Sequence, residues 1–332
     1  MQKQFINYLK EKSQDNKSFV EEIAGVLDIG YDAAYRRVNL KTNLSLEESI
    51  ILARHYKISL NKLFEVGNKN TIIAELPPQP KDETALEEWM KVSLMNVQAV
   101  SNIKGAEIIY GAKDIPLFHT LNDSTITRYK MYVWLKDINS EMAKSKITFD
   151  EWVKTIPESL LKVAHELGNS YKNVNITEIW GENSLSGSLQ QVLYYFETGL
   201  VSIEMALCIC DDITKIIDRI EQQTIQQSLT GGKTEKFYHL YRNELHTLQN
   251  TIMINSKYGK VFFAPFTVLT YFKVEHPETC ELMFDFLQKM MSNSKLLANA
   301  GERDRTLFFN KLHQKIEITK ARIKMDDKMS FF

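Results

Sequence analysis

"GYDAAYRRVN", residues 30–39, sets two tyrosines four apart and two adjacent arginines on a stretch with very little apolar surface. A helix over it would turn Ala34 and Val38, four apart, toward a core, with Ala33 small enough to let a neighbouring helix approach. Tyr31, Asp32, Tyr35, Arg36 and Arg37 then fall largely on the outer side, followed by Asn39 and Lys41. A helix that buries so narrow a stripe leaves most of its surface free for contact.

The flanking sequence places this helix among others. Upstream, "NKSFVEEIAGVLD" carries Ser18 and Glu21 in the S-x-x-E spacing of a capping box, with Phe19, Val20, Ile23, Ala24 and Leu27 at helical spacing behind it. Residues 28–30, "DIG", form a tight turn with Ile29 as an apolar pin and Gly30 as N-cap of the next helix. Downstream, "LSLEESIILARHYK" repeats the box with Ser45 and Glu48, and assigns Leu46, Ile50, Ala53 and Tyr56 to the core. "FINYLKEK" before and "SLNKLFEV" after complete five short helices within residues 1–66.

Helix, tight turn and short polar helix is the helix-turn-helix plan, whose second helix enters the DNA major groove. Arginine can grip guanine O6 and N7 with two hydrogen bonds, while lysine and tyrosine suit phosphates. Ser18, with the backbone N–H groups at the start of its helix, suits a phosphate as well. Residues 1–66 hold ten Lys/Arg against nine Asp/Glu, yet Arg36, Arg37 and Lys41 fall within six residues. The charge argument is therefore local. The DNA-contacting set expected is Ser18, Tyr31, Asp32, Tyr35, Arg36, Arg37, Asn39 and Lys41.

Residues 18–64 resemble the Cro/cI-type (XRE, lambda-repressor-like) helix-turn-helix, through "EEIAGVLDI", "AAYRRV", "SLEESIILARHYKISL" and "NKLF". The resemblance implies an all-α five-helix domain that binds pseudo-palindromic operators as a dimer, with Tyr31, Asp32, Tyr35, Arg36 and Arg37 facing the groove. The chain departs from the family in two places. Gly30 stands where Ser or Thr often caps the recognition helix, and Leu40 where Gly often follows it.

At 332 residues, 44% hydrophobic and 25% charged, the chain has the composition of a globular protein large enough for two domains. A net charge of −1 excludes a bulk polycation. Three cysteines, Cys208, Cys210 and Cys280, without a CxxC pair argue against a disulfide framework or a zinc site. The absence of an apolar leader at the start and of any membrane-length run leads to the expectation of a reduced, cytoplasmic protein with no membrane partner. "GNKNTIIAELPPQPKDE" has Pro77, Pro78 and Pro80, and residues 67–83 read as a semi-rigid linker. Residues 84–325 read as a helix-rich α/β domain for dimerisation, sensing or both, and 326–332 as a tail.

Within the α/β domain, "GAEIIYGA", "NVNITEIW" and the hairpin "TIMINSKYGKVFFAPF" read as strands. Residues 126–142, 157–171, 186–223, 277–291 and 303–323 read as helices, and "TALEEWMKVSLMNVQAVSN" sets Leu86, Met90, Val97 and Val100 near helical spacing, as a surface helix of this domain or, alternatively, a dimer-forming helix. The chemistry-bearing patterns are weak. "LTGGKTEK" lacks the glycine of a phosphate loop, Gln227 standing in its place. Asp211, Asp212 and Asp218 point to different sides of a helix and read as solvated. His239 and His246, with Glu244 between them, would be about 10 Å apart along a helix, too far for a shared metal. Cys208 and Cys210 read as inert thiols of an apolar helix. Trp89, Trp134, Trp152 and Trp180 read chiefly as core, with a pocket for an apolar or planar ligand as the second reading. Hairpin strands followed by a long helix are loosely similar to phospholipase-D-like domains, but their H-x-K is absent, since Tyr241 follows His239 by two.

The expectation is a non-enzymatic, sequence-specific DNA-binding regulator that needs no cofactor or metal. It would bind an inverted repeat in double-stranded DNA as a homodimer and could answer a small-molecule or protein effector. Two alternatives stay open: a helix-turn-helix that docks a protein, and an enzyme with an appended DNA-binding domain.

Overall fold

The computed structural model describes residues 1–13, 18–64, 72–230, 236–245, 247–297 and 301–329. The chain divides into two compact units, Met1–Ile73 and Ala74–Phe332. The N-terminal unit is helical: α1 (Gln2–Lys12), α2 (Phe19–Leu27), α3 (Tyr31–Val38), α4 (Leu46–His55) and α5 (Leu60–Phe64). One small core joins them, built on Phe5, Leu9, Ile23, Ala34, Val38 and Leu52.

Of the two expected capping boxes, one forms. Ser45 Oγ accepts from Glu48 N–H at 3.0 Å while Glu48 Oε2 accepts from Ser45 N–H at 2.9 Å. Ser18 is the N-cap of α2, but its side chain makes no capping bond, so Ser18–Glu21 is a box in sequence only. The expected core of α4 is also corrected at two positions, for Ile50 is half-buried and stands outside the small core and Leu46 is exposed. Leu46 is 75% exposed, and Leu52, fully buried, supplies the apolar anchor. Leu46 sits at the first helical position, ahead of the stripe that faces the other helices.

The second unit is helix-rich around a mixed sheet. It begins with β1 (Ala74–Glu75), α6 (Glu83–Ser101), β2 (Glu107–Ala112), α7 (Leu117–Thr120), α8 (Thr125–Ile138), α9 (Ser140–Lys144), α10 (Phe149–Trp152) and α11 (Glu158–Ser170). There follow β3 (Asn175–Trp180), α12 (Ser186–Glu197), α13 (Ile203–Gln226), β4 (Tyr238–Arg242), β5 (Thr251–Ser256), β6 (Gly259–Pro265), β7 (Tyr271–Val274), α14 (Pro277–Ser292), β8 (Lys295–Leu296) and α15 (Gly301–Met329). The strand order is β1-β7-β6-β5-β2-β3-β4-β8. β2, β3 and β4 run parallel to one another, and every other pairing is antiparallel.

Alternation along the strands gives the sheet two buried faces. Ile108, Tyr110, Ile176 and Trp180 join the large core under the helices, whereas Ile109, Ile179 and Met253 face α14 with its Cys280, Leu287 and Met290. Strands covered on both sides read as continuous apolar runs, which is why "EIIYGA" and "NITEIW" are legible from sequence. β3 also buries the polar side chains of Asn175, Thr177 and Glu178. Glu178 accepts from Trp180 Nε1 at 2.5 Å and Tyr238 Oη at 3.2 Å, and pairs with His119 Nε2 at 2.7 Å.

Several expected elements differ. The stretch 186–223 is two helices broken at 198–202, where Gly199 takes φ +71° and Ser202 caps α13 by accepting from Met205 N–H. The stretch 126–142 breaks at Asn139, whose side chain accepts from Glu141 and Met142 N–H at 2.9 and 2.8 Å. Within "KFYHLYR", Tyr238–Arg242 form a strand beside β3, with Tyr238, Leu240 and Arg242 buried at period two. His239 therefore lies on a strand, and His246 lies outside the described residues, as do 231–235 of the glycine-containing "LTGGKTEK". The expected linker 67–83 contains β1, paired with β7, and its first residues 67–71 lie outside the described residues. α15 continues through Met329, into the expected tail.

Candidate nucleic-acid interface

The turn before α3 is built by the backbone. α2 ends at Asp28 in a left-handed conformation, φ 53°, and Ile29 N–H reaches back to Ala24 O at 3.0 Å. Ile29 packs against the small core. Gly30 then opens α3, its carbonyl accepting from Ala33 and Ala34 N–H at 3.0 and 3.1 Å. Gly30 has φ −63° and open space around a Cβ, so the backbone there does not require glycine. Its lack of a capping oxygen costs only a few tenths of a kcal/mol relative to Ser or Thr.

Ala34 and Val38 are buried, and Tyr31, Asp32, Tyr35, Arg36, Asn39 and Lys41 are exposed, as the spacing implies. The exposed groups are partly ordered by one another. The Tyr31 and Tyr35 rings stack with centroids 6.4 Å apart, and Lys41 Nζ lies 5.6 Å from the Tyr35 centroid. Asn39 Nδ2 donates to Tyr35 O at 2.9 Å. Arg36 has no side-chain partner among the described residues, and the Ser18 hydroxyl is likewise uncommitted.

Arg37 is the correction in this set. Its guanidinium is bidentate to Glu48, at 2.9 Å from Nε and 2.7 Å from Nη2 to Oε1, and also donates to Ala33 O at 3.1 Å. It ties α3 to α4, with its side chain 19% exposed. The hydrogen bond from Arg37 holds the Glu48 carboxyl below its ordinary range, and Glu48 raises Arg37 in turn.

Two residues outside the expected set shape this surface. Gln2 Nε2 donates to Arg37 O at 3.2 Å and Thr42 O at 3.0 Å, and Gln2 Oε1 accepts from Leu44 N–H at 3.2 Å. It staples the segment after α3 to α1 across some forty residues, and no local pattern marks it. Glu48 was visible as a capping residue, but its second role, fixing Arg37, depends on the helix crossing.

Chemically, the face offers a free guanidinium, an ammonium, amide and hydroxyl donors and one carboxylate, on a helix flanked by two stacked rings. These suit phosphate and base-edge hydrogen bonds. The cysteines of the second unit stand elsewhere. Cys210 is buried in α13, where burial pushes its thiol up to about 12. His239 stacks on Phe237 with centroids 4.5 Å apart, and burial lowers its pKa. Set against known proteins, the chain matches no family model, no curated protein and no solved structure.

Proposed function

We propose that the chain is a sequence-specific DNA-binding transcriptional regulator in which α3 enters the major groove. The observation that carries this reading is the outward face of α3. Arg36 is exposed and unpaired among the described residues, beside Tyr31, Tyr35 and Lys41, on a helix that buries only Ala34 and Val38. Arg36 is the natural reader of guanine, a contact contributing about 1–3 kcal/mol of discrimination. Asp32 suits the N4 amino group of cytosine, and Lys41, Tyr31, Tyr35, Asn39 and Ser18 suit the phosphates. Arg37 acts as a positioning residue through Glu48.

One recognition helix reads too few base pairs to select a genomic site, so a homodimer spanning two half-sites about one helical turn apart is part of the proposal. The second unit would supply the dimer contact and any effector response. A second reading, docking of a protein partner, draws on the exposure of Tyr31 and Tyr35, 51% and 43%.

The test is selection of duplexes from a random pool, then a salt titration of the best site with wild type and Arg36→Ala. The expected outcome is an enriched inverted repeat, a log–log salt slope of about −0.9 per neutralised phosphate, and loss of selective binding in the variant with helicity retained. A pool without enrichment, or a variant that binds as wild type does, would refute the proposal. Capture by a protein through the same tyrosines would then establish the second reading.

A further inference from the structure

The parallel strands β2, β3 and β4 end in one row: Ala112 pairs in register with Trp180, and Trp180 with Arg242. The segments that leave this row, 113–116, 181–185 and, among the described residues, 243–245 and 247–250, flank a cleft of about 1180 Å³ that lies wholly within the second unit. Crevices at the carboxyl ends of parallel strands are where α/β sheets hold ligands, because loops and helix N-termini converge there.

The polar groups of this cleft are incompletely matched. Lys130, buried on α8, donates to Ser188 Oγ at 2.8 Å and Gln191 Oε1 at 3.1 Å. Its closest carboxylate oxygen, Asp114 Oδ2, stands at 3.9 Å and already accepts from Ser188 Oγ at 2.8 Å. An ammonium has three donors, and one of them is left for a partner in the cleft. Burial lowers the Lys130 pKa, as expected for a cation short of counter-charge. Arg242, at the end of β4 and more than nine-tenths buried, reaches Glu182 and Glu244 through Nη2, both at 2.8 Å. Its Nε is buried with no hydrogen-bond partner.

Charge leans the same way. Lys311 shares Glu182 with Arg242, and Lys315 reaches only neutral oxygens there, those of Glu182 O, Asn183 and Ser186. Lys113 is exposed at the rim without an ion pair among the described residues. Of these, Lys113, Lys130, Arg242 and Lys311 line the cleft, four cations against the carboxylates of Asp114, Glu182 and Glu244. Four aromatic side chains, Trp89, Tyr110, Trp134 and Tyr271, line the same space.

We propose that this cleft binds a small organic anion built on a planar ring, an aromatic carboxylate or a nucleoside monophosphate. The anionic group pairs with Lys130 and Arg242, and the ring lies among Trp89, Tyr110, Trp134 and Tyr271. Charge-assisted bonds from buried donors fix the anion, and the flat walls select the ring. That such a ligand is the effector of operator binding rests on the DNA-binding reading; its binding to the cleft does not.

Calorimetry on the full chain without DNA tests it, with AMP against adenosine and 4-hydroxybenzoate against 4-hydroxybenzamide. At least one anion is expected to bind with a Kd below about 1 mM, and about tenfold or more tighter than its uncharged counterpart. Binding of AMP alone would assign a nucleotide, and of 4-hydroxybenzoate alone an aromatic acid. Lys130→Met and Arg242→Met should each weaken that binding about tenfold. Thr247→Trp, at an exposed position of the lining, places an indole beside the cleft and should weaken binding about tenfold even if the buried variants fold poorly. No binding of either anion, equal binding of the neutral partners, or binding left unchanged by all three substitutions would overturn the site. Duplex selection is measured separately, so either result stands without the other.

Discussion

Leu40 holds a backbone conformation that glycine adopts without cost. Its φ is +59°, and its N–H and that of Lys41 close the end of α3 on Arg37 O and Arg36 O at 3.1 and 2.7 Å. A left-handed residue with a Cβ carries about 1–2 kcal/mol of strain, against a smaller entropic gain from not being glycine in the unfolded chain. The Leu40 side chain is exposed and lies outside the core, so little packing opposes the change. Leu40→Gly is therefore expected to stabilise the N-terminal unit by about 0.5–1 kcal/mol, read as slower amide exchange across α3; faster exchange would show that the side chain packs after all. Glu48 yields a pH signature. Its folded pKa is depressed, so its contribution is complete above its unfolded value of about 4.3 and is lost as pH falls through the lower folded value. At neutral pH, Glu48→Gln should weaken α3 and α4 by about 1 kcal/mol, with variant and wild type converging as the pH drops below about 4. Amide exchange across both helices at several pH values checks this, and a gap that widens in acid would contradict it.

At the scale of elements, adjacent aspartates on α13 have different fates. Asp211 is exposed and pairs with Lys320 at 2.8 Å, as a solvated carboxylate would. Asp212 is buried, and its Oδ2 accepts from Thr125 N–H at 2.9 Å and Ile126 N–H at 3.3 Å. It caps α8 from another helix, where Ser124, the residue in the N-cap position, makes no capping bond. Asp212→Ala is expected to cost about 1–2 kcal/mol, and Asp211→Ala less than about 0.5 kcal/mol. Denaturant unfolding of both variants checks the contrast, and equal costs would remove the capping role. The capping role of Asp212 is not legible in the sequence, because a cap supplied from 87 residues away leaves no local spacing. The break at 198–202 is not legible for another reason: the apolar periodicity resumes beyond it, and the single Gly199 does not by itself end a helical pattern. "KFYHLYR" is ambiguous in the sequence because its apolar run is too short for periodicity to separate a strand from a helix.

At the scale of the molecule, each unit has its own core. The fragment Met1–Ile73, closed over Phe5, Leu9, Ile23 and Leu52, is expected to fold alone, with helical circular dichroism and a cooperative melt. A coil spectrum would show that it depends on the rest of the chain. What the sequence by itself determined is local: five short helices, the box at Ser45 and Glu48, the turn at Ile29, the inward Ala34 and Val38, the outward Arg36, and the buried runs of β2 and β3. Capping, turns and periodicity act within a few residues, and so can be read along the chain. Tertiary structure alone decided that Glu48 takes Arg37 out of the outward set and that Gln2 staples the loop after α3. It alone also placed β4 between β3 and β8 in the sheet and brought Lys130, Asp114 and Arg242 to one cleft. Each of these joins groups that only the crossing of helices or the register of strands brings within hydrogen-bonding distance, and no spacing in the sequence records such a meeting.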